Sequence, residues 1–244
     1  MSSSPTEQAS PLPAPKVARP LTAPPRRGRV LVVAPHPDDE AIGPGATLLL
    51  HGGLGDSVDA LFVTSGVHGD HRHAEDPASY VARRQAEARA AAAVLGVQRT
   101  EFWGYPDGMV VTAADLAAVT ARLTELLART RPDVIYAPHL GESHSDHHFV
   151  ARAVQAAHRD AASGASLYGY EVWSPLDADL AVDVGAVYPR KLDAIRCYAS
   201  QLQSNDIPRA VDGLNRYRAV LLPPGGQYAE VFVEWAGPRL GPAA

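Results

Sequence analysis

The sequence is poor in several features that mark common protein classes. It contains one cysteine in 244 residues, which excludes an intrachain disulfide and leads us to expect a reducing, cytoplasmic location. The 22 Lys and Arg residues are outnumbered by 27 Asp and Glu residues, so a nucleic-acid partner is not expected. No apolar run approaches the roughly 18 residues of a membrane span. No G-x-G-x-x-G motif follows the first apolar run, so a dinucleotide site has no support.

The first 28 residues differ in composition from the rest of the chain. Residues 1–27 are rich in Ser, Pro and Ala and contain no apolar segment of the kind that signal peptides carry. We therefore expect residues 1–28 to be a disordered tail. The stretch 29–244 shows no internal repeat and is long enough for a single α/β domain.

The region after this tail alternates between short apolar runs and longer amphipathic segments. The predicted strand–helix units are 30–33 with 46–50, 58–64 with 80–95, 100–103 with 113–130, and 134–137 with 149–158. Four such units predict a Rossmann-like, mostly parallel sheet with helices on both faces, a three-layer α/β/α fold. The remaining predictions are strands at 167–173 and 180–184, helices at 188–201 and 207–218, and a last strand near an edge at 228–235.

The first polar cluster follows the strand 30–33 and reads Pro35-His36-Pro37-Asp38-Asp39-Glu40. Ligand sites of open α/β sheets lie at the carboxyl ends of the strands, where this cluster is placed. Acidic residues in a first helical turn can instead cap the helix. One carboxylate would suffice for capping, however, and capping requires no histidine between two prolines. An imidazole and a carboxylate three residues apart, with a spare carboxylate between them, would suit a catalytic divalent metal and a base.

A second cluster follows the strand 134–137 and reads Pro138-His139-Leu140-Gly141-Glu142-Ser143-His144-Ser145-Asp146-His147-His148. It too lies at the carboxyl end of a predicted buried strand and before a helix. Parallel strands bring such ends to one edge of the sheet. One His and one Asp from the first cluster and one His from the second would complete a three-ligand site with an open position. The two clusters together favour a metal site over capping.

Other polar residues have ordinary interpretations. The loop 67–76 contains three histidines in no recognisable ligand spacing and is expected to be a solvated loop: His68, His71 and His73. Arg84 and Glu87 lie three apart on a predicted helix and suggest a surface ion pair. Asp107 lies in a turn, and its place at a strand end also makes it a candidate for substrate contact.

Two further side chains have a structural and a functional interpretation. Trp173 could stack on a sugar ring, but a half-buried aromatic residue in a strand is the commoner case. Cys197 has no partner cysteine and is expected to be a packing residue.

His36-Pro37-Asp38-Asp39-Glu40, followed about a hundred residues later by His144-Ser145-Asp146-His147, resembles the PIG-L/LmbE family of zinc-dependent deacetylases. The resemblance covers most of 29–235 and implies a hydrolase that removes an acetyl group from an N-acetylated amino sugar. Pro35 and Ser145 depart from residues that are frequent in the family, and both flank the chemical groups rather than replace them.

Position by position, the resemblance implies one zinc ion per chain, held by His36, Asp39 and His147. It implies that Asp38 is the general base, and that His144 is the general acid or electrophilic partner. The remaining implied roles are Asp146 as the residue that orients His144, and Arg84 and Asp107 as contacts to the sugar.

Several alternatives stay open at this point. The site could belong to a zinc amidase of thiol–sugar conjugates, to a metallo-phosphoesterase, or to a non-catalytic sugar-binding protein with structural zinc. A phosphoesterase would more often need two metals and additional carboxylates. A structural site would be closed by four ligands, whereas here three are assigned and a base is left over. The expected partner is a small N-acyl amino sugar, and the sequence leaves a homo-oligomer open.

Overall fold

The structure is a computed structural model that describes residues 16–70, 75–108 and 112–235. Its strands are β1 Arg19–Leu21, β2 Arg29–Ala34, β3 Ser57–Thr64, β4 Arg99–Tyr105, β5 Val134–Pro138, β6 Ser166–Tyr170, β7 Leu180–Asp183 and β8 Ala229–Trp235. Its α-helices are α1 Asp39–Ile42, α2 Gly45–Gly53, α3 Pro77–Leu95, α4 Ala113–Thr130, α5 Ser145–Asp160, α6 Tyr188–Arg196, α7 Ala199–Leu202 and α8 Ile207–Arg218.

The eight strands form one sheet in the order β1-β7-β8-β6-β5-β2-β3-β4. All neighbouring pairs are parallel except those made by β8, which runs antiparallel to β6 and β7. The chain proceeds from β2 through β3 to β4 on one side, and β5 then returns to pair with the other side of β2. This reversal creates a crevice between the carboxyl ends of β2 and β5, where open α/β sheets bind ligands.

Helices cover both faces of the sheet, as predicted for a three-layer fold. In β2, Val30, Val32 and Ala34 point into one hydrophobic cluster, which is shared with α2, α3, α6 and α8. Leu31 and Val33 point into the other cluster, which is shared with α4 and α5. The strand is therefore buried on both sides, which explains its continuous apolar sequence. Within the described ranges, no helix is both long and apolar enough to cross a membrane.

Local signals place the ends of the long helices close to their predicted positions. Asp76 caps the first turn of α3 by accepting the N–H of Ser79, and Gly96 ends that helix in a left-handed conformation with φ of 78°. Thr112 and Asp115 form a capping box at the start of α4, which matches the predicted bounds of 113–130.

The expected disordered tail of 1–28 is wrong for its last part. Arg19–Leu21 forms β1, which pairs in parallel with β7 at the edge of the sheet. Ala18 is buried in a small cluster beside this strand. Asp56 accepts hydrogen bonds from Arg27 Nε (2.7 Å) and Gly28 N (3.1 Å), which fixes the chain just before β2. Residues 1–15 lie outside the described residues.

The last strand, predicted near an edge, lies inside the sheet as the third strand from one edge, between β6 and β7. Glu230 made this strand resemble one with a solvated face. Its side chain is instead buried, where it accepts a 2.7 Å hydrogen bond from Lys191 Nζ. It also accepts the N–H groups of Ala46 (2.8 Å) and Thr47 (2.7 Å) in the first turn of α2.

Two other predicted elements end early. The strand predicted at 167–173 ends at Tyr170, and the helix predicted at 188–201 divides into α6 and α7. The division falls at Cys197 and Tyr198, where Tyr198 leaves helical geometry and its hydroxyl lies 2.5 Å from a Glu40 carboxylate oxygen. Cys197 packs beside the core, as predicted.

Candidate active site

The two polar clusters lie side by side, because β2 and β5 are hydrogen-bonded neighbours in parallel register. The first cluster occupies the loop after β2 and the short helix α1. The second leads from β5 into α5, which begins four residues earlier than predicted. Asp146 and His147 therefore belong to the first turn of α5, and His144 is its N-cap residue. Helical geometry, not a loop, sets their directions.

Three potential ligand atoms converge between these elements. His36 Nδ1 lies 3.2 Å from Asp39 Oδ2, and His147 Nε2 lies 3.2 Å from the same oxygen. The two ring nitrogens are 3.3 Å apart. A tetrahedral zinc ion with bonds of about 2.0–2.1 Å separates its ligand atoms by about 3.3 Å. The spacing in this structure therefore fits the predicted ligand set His36, Asp39 and His147.

Each of the two imidazoles has a carboxylate behind its second nitrogen. His36 Nε2 lies 3.0 Å from Asp146 Oδ2, and His147 Nδ1 lies 3.5 Å from Glu142 Oε2. Because a carboxylate only accepts, these contacts leave His36 Nδ1 and His147 Nε2 free to act as ligands. No ligand, catalytic or substrate-binding role for Glu142 was predicted from the sequence.

The predicted role of Asp146 was to orient His144, but the hydrogen bonds of its carboxylate involve other groups. Oδ2 faces His36 and also accepts the N–H of Gly108 at 2.8 Å. The hydrogen bond between Asp146 and His144 runs from the backbone N–H of Asp146 to Nδ1 of His144 at 3.2 Å. Asp146 thus holds His36 through its side chain and His144 through its backbone.

The charged forms of His36, Asp39 and His147 stabilise one another. Burial opposes protonation of His36, but hydrogen bonds with Asp146 and Asp39 outweigh it and raise its pKa to about 10. Burial also opposes protonation of His147, yet the nearby Asp39 carboxylate raises its pKa to about 9. Burial disfavours the charged form of Asp39, but the His147 and His36 imidazoles hold its pKa well below the usual range. A site that attracts protons this strongly also attracts a metal cation, which competes for the same atoms.

Asp38 lies beside this cluster in an unusual backbone conformation. Its φ of 139° is in a region that residues with a side chain rarely adopt, and such strain is concentrated at functional sites. Burial raises the pKa of Asp38 to about 6, while the guanidinium of Arg84 opposes that rise. Arg84 Nη2 lies 3.2 Å from Asp38 Oδ2 and also donates to the carbonyl oxygen of Pro37.

The surface ion pair predicted between Arg84 and Glu87 is wrong. Arg84 is only 1% exposed and turns towards Asp38. Glu87 accepts hydrogen bonds from the backbone N–H (2.8 Å) and the hydroxyl (2.6 Å) of Ser200. The prediction of a surface pair was wrong because α3 packs beside the cleft, so that the face of α3 with Arg84 is buried.

Glu40, to which the sequence alone assigns no role, holds the backbone of Asp38. Its side chain is fully buried, one oxygen accepts the Tyr198 hydroxyl at 2.5 Å, and the other accepts the Asp38 N–H at 3.2 Å. Burial raises the pKa of Glu40 to about 8, and the hydrogen bond from Tyr198 opposes this rise. Glu40 therefore fixes the strained peptide of its neighbour.

His144 is partly exposed and packs edge-on against His36, with ring centroids 4.9 Å apart. Burial and the neighbouring imidazoles of His36 and His147 lower the pKa of His144. Since Nδ1 accepts the Asp146 N–H, the hydrogen of the neutral ring resides on Nε2. His144 therefore offers a single N–H donor.

Asp107 holds a neighbouring loop in place. Its carboxylate accepts the Ser65 hydroxyl at 3.2 Å, the Gly66 N–H at 2.8 Å and the His68 N–H at 2.9 Å. These bonds keep the loop after β3 against the turn after β4. Asp107 nevertheless lines the same cleft as Asp38.

Several of these groups line one cleft of about 460 Å³, among them His36, Asp38 and Asp39, whereas His147, Glu40 and Glu142 are buried and are not among its lining residues. Its other lining residues include His68, Trp173, Gln201 and Asn205. The expected solvated loop holds for His68, which is exposed, while His71 and His73 lie outside the described residues. Trp173 does not lie in a strand, as was expected, but three residues beyond the end of β6, and it is 50% exposed.

The chain is similar to known proteins both in sequence and in fold. The model of the PIG-L family, described as GlcNAc-PI de-N-acetylase, matches residues 31–158, more than half of the chain. A 1D-myo-inositol 2-acetamido-2-deoxy-alpha-D-glucopyranoside deacetylase of Kineococcus radiotolerans is 33% identical over 171 residues, which cover 56% of this chain and 47% of that protein. The chain thus spans about half the length of the curated relatives it matches.

Two solved structures share the fold at low sequence identity. The N,N'-diacetylchitobiose deacetylase of Pyrococcus horikoshii superposes with a TM-score of 0.74 at 24% identity, covering 85% of this chain and 83% of that one. A 4-carboxy-2-hydroxymuconate hydratase of Pseudomonas putida gives 0.74 at 21% identity, covering 86% and 97%. Because one neighbour is a hydratase, the fold alone does not specify the reaction. The family match spans both polar clusters that form the cleft, and the chain belongs to the PIG-L family.

Proposed function

We propose that this protein is a metal-dependent N-deacetylase, a hydrolase that releases acetate from an N-acetylglucosamine-type amino sugar. The observation that carries the proposal is the convergence of His36, Asp39 and the buried His147, of which His36 and Asp39 line a cleft that Asp38 and His144 also line. Residues 29–244 would form the catalytic domain, with β1 completing its sheet.

His36, Asp39 and His147 would hold one zinc ion, since two imidazole nitrogens and a carboxylate oxygen at 3.2–3.3 Å suit that metal. A zinc ion in such a site supplies Lewis acidity, which makes water a nucleophile at neutral pH and polarises the acyl carbonyl. Asp146 and Glu142 would keep the two imidazoles oriented for this task.

Asp38 is assigned as the general base. Its carboxylate lines the cleft without belonging to the converging set; Arg84 holds this carboxylate, and Glu40 accepts the backbone N–H of Asp38. It would take a proton from the attacking water as the new C–O bond forms. His144 would donate its Nε2 hydrogen to the oxygen on which negative charge develops. When the C–N bond breaks, the amine leaves with a proton from Asp38 or His144, and acetate is the second product.

The substrate class follows from the curated relative and from the cleft. That relative acts on a 2-acetamido-2-deoxy-glucopyranoside. Asp107 lines the cleft here and is assigned as a contact for a sugar hydroxyl, since carboxylates accept from hydroxyl groups. Arg84, which the resemblance also placed against the sugar, borders the cleft and is committed largely to Asp38.

The test is acetate and free-amine release from N-acetylglucosamine glycosides by the purified chain, before and after chelation and after zinc is restored. We expect activity to disappear on chelation and return with about one metal per chain. Metal binding without any acetate release would leave a sugar-binding protein, and hydration of an unsaturated acid without amine release would indicate a hydratase. Either result would contradict the proposal.

A further inference from the structure

Trp173 lies where a large aromatic side chain would ordinarily be avoided. It is 50% exposed, three residues beyond the end of β6, and it lines the cleft. It is the only Trp, Tyr or Phe among the described residues that line this cleft. The potential metal ligands are much deeper: the side chain of His36 is 14% exposed and that of Asp39 is 1% exposed. Trp173 therefore belongs to the mouth of the cleft and not to its floor.

The backbone around Trp173 is held by one buried carboxylate. Glu142 Oε1 accepts three consecutive N–H groups, from Val172 at 2.6 Å, Trp173 at 3.1 Å and Ser174 at 3.3 Å. Two more contacts fix Ser174, since its carbonyl oxygen lies 2.8 Å from His139 Nε2 and its hydroxyl accepts the Ser143 N–H at 2.9 Å. The backbone that carries the exposed indole is thus fixed by several hydrogen bonds.

The same carboxylate also reaches the floor of the site. Glu142 Oε2 lies 3.5 Å from His147 Nδ1, and its side chain is fully buried. In the described residues, that nitrogen is buried and has no hydrogen-bond partner, and the Glu142 carboxylate is the charged group that faces it. Glu142 thus contacts both a potential metal ligand and the backbone N–H of the aromatic residue at the mouth.

We infer that Trp173 is a stacking platform for the ring of the substrate next to the acetylated sugar, and that Glu142 is the positioning residue that sets this platform relative to His147. This inference rests on the proposed function. The acetamido group must reach the floor for hydrolysis, so the neighbouring ring lies nearer the mouth. The C–H face of a sugar or cyclitol ring is apolar enough to pack on an indole, and the same cleft is lined by Gln201 and Asn205, whose amide groups suit sugar hydroxyls.

The first experiment compares two N-acetylglucosaminides, one with a methyl aglycone and one with a pyranose or cyclitol ring. Trp173→Ala is expected to lower kcat/KM about tenfold for the ring aglycone, mostly through KM, and by less than about threefold for the methyl glycoside. Trp173→Phe should keep most of the difference between the two substrates. An equal loss on both substrates would overturn the inference, because it would mean that Trp173 acts on the acetylated sugar or on the fold.

Glu142→Gln tests the positioning role. An amide has one acceptor oxygen and no charge, so if that oxygen keeps the place of Oε1, an NH2 group replaces Oε2, which lies 3.2 Å from the Trp173 N–H and 3.5 Å from His147 Nδ1. We expect the variant to reduce the preference for the ring aglycone and to bind zinc about tenfold more weakly. A loss of stability alone would leave the ratio of kcat/KM values unchanged, and that result would contradict the role.

Trp103→Phe is the matched control for the Trp173 variants. Trp103 packs under Arg122, with 4.1 Å from the guanidinium to the ring, and does not line the cleft.

Tryptophan fluorescence separates failure of this inference from failure of the proposed function. The ring glycoside should change the fluorescence of the unmodified chain and of Trp103→Phe but not that of Trp173→Phe. Acetate release with no effect of Trp173 on either substrate would overturn the platform and leave the deacetylase standing. If no glycoside releases acetate, the proposed function fails, and the fluorescence titration decides whether Trp173 still binds the ring.

Discussion

Asp38 combines a buried carboxylate, a strained backbone and a hydrogen-bonded neighbour on either side. Its N–H donates to Glu40 and its carboxylate accepts from Arg84, so the residue is held in one orientation. Such rigidity is what a general base needs, since it must stay within reach of the proton it removes. The strain is part of the cost of that arrangement.

Substituting Asp38 with Ala and with Gly separates the strain from the chemistry. Both variants should bind zinc and lose roughly 10²–10⁴-fold in turnover, because both lack the base. A variant with Gly ordinarily has a free energy of unfolding about 0.4–1 kcal/mol lower than the variant with Ala at the same position. At φ of 139° we expect the opposite order, with Asp38→Gly the more stable variant. Urea unfolding of the two proteins measures the order, and the usual order would mean that the backbone at this position is not strained. Loss of zinc in either variant would mean that the ligand assignment is wrong.

Asp146 provides a second test at the scale of single residues. Its carboxylate faces His36 Nε2, so Asp146→Asn should weaken zinc binding about 10–100-fold, as loss of a partner behind a ligand imidazole generally does. The preceding residue, Ser145, gives a matched control in Ser145→Ala. Competition with a chromophoric chelator measures the affinity. If Asp146→Asn bound zinc normally and lost only turnover, the side chain would instead serve His144, as the resemblance implied.

The residues of the site differ in how far the sequence reveals them. That two histidines and an aspartate would meet could be predicted from the polar clusters that follow β2 and β5, and the choice of His36, Asp39 and His147 came from the resemblance to the PIG-L/LmbE family. Glu142 and Glu40 could not, because their partners, the 172–174 turn and Tyr198, are far away in sequence. A buried carboxylate is recognised only when the groups that neutralise it are known. Arg84 was misjudged for the same reason, since its helix packs over the site.

At the scale of elements, periodicity predicts the strand–helix units well and fails where a segment depends on distant partners. The predicted bounds 113–130 and 207–218 agree with α4 and α8, whose apolar faces and caps are local. The strand β1 is short and flanked by prolines, and only its pairing with β7 gives it a structure. The position of β8 inside the sheet depends on Lys191 neutralising Glu230, which no local pattern shows.

The role of β1 can be tested with two adjacent residues. Ala18 is 7% exposed in a small apolar cluster, whereas Val17 is 81% exposed. Ala18→Asp should destabilise the fold by about 2 kcal/mol or more, because it places an unpaired charge in an apolar contact. Val17→Asp should stay within about 0.5 kcal/mol. Equal, negligible effects in urea unfolding would instead support the disordered tail that the composition suggests.

For the whole molecule, the sheet separates two tasks. The active-site cleft lies at the carboxyl ends of β2 and β5, and a buried polar group lies at the opposite end of the sheet. There His51 Nδ1 is 2.8 Å from Asp56 Oδ2, and its Nε2 is 3.0 Å from the Tyr136 hydroxyl. These residues link α2, the loop before β3, and β5, and Arg27 joins them to the N-terminal segment. The group stabilises the fold and does not contact the cleft.

This polar group makes stability depend on pH in a defined direction. Burial lowers the pKa of His51 below its usual value, although Asp56 opposes the effect. His51 therefore binds a proton more readily when the chain is unfolded, and protonation below about pH 6.5 favours unfolding. Relative to His51→Gln, the native chain should lose free energy of unfolding as the pH falls from 7.5 to 5, with zinc saturating in both. A constant difference between the native chain and His51→Gln across this range would show that His51 titrates alike in the folded and unfolded states.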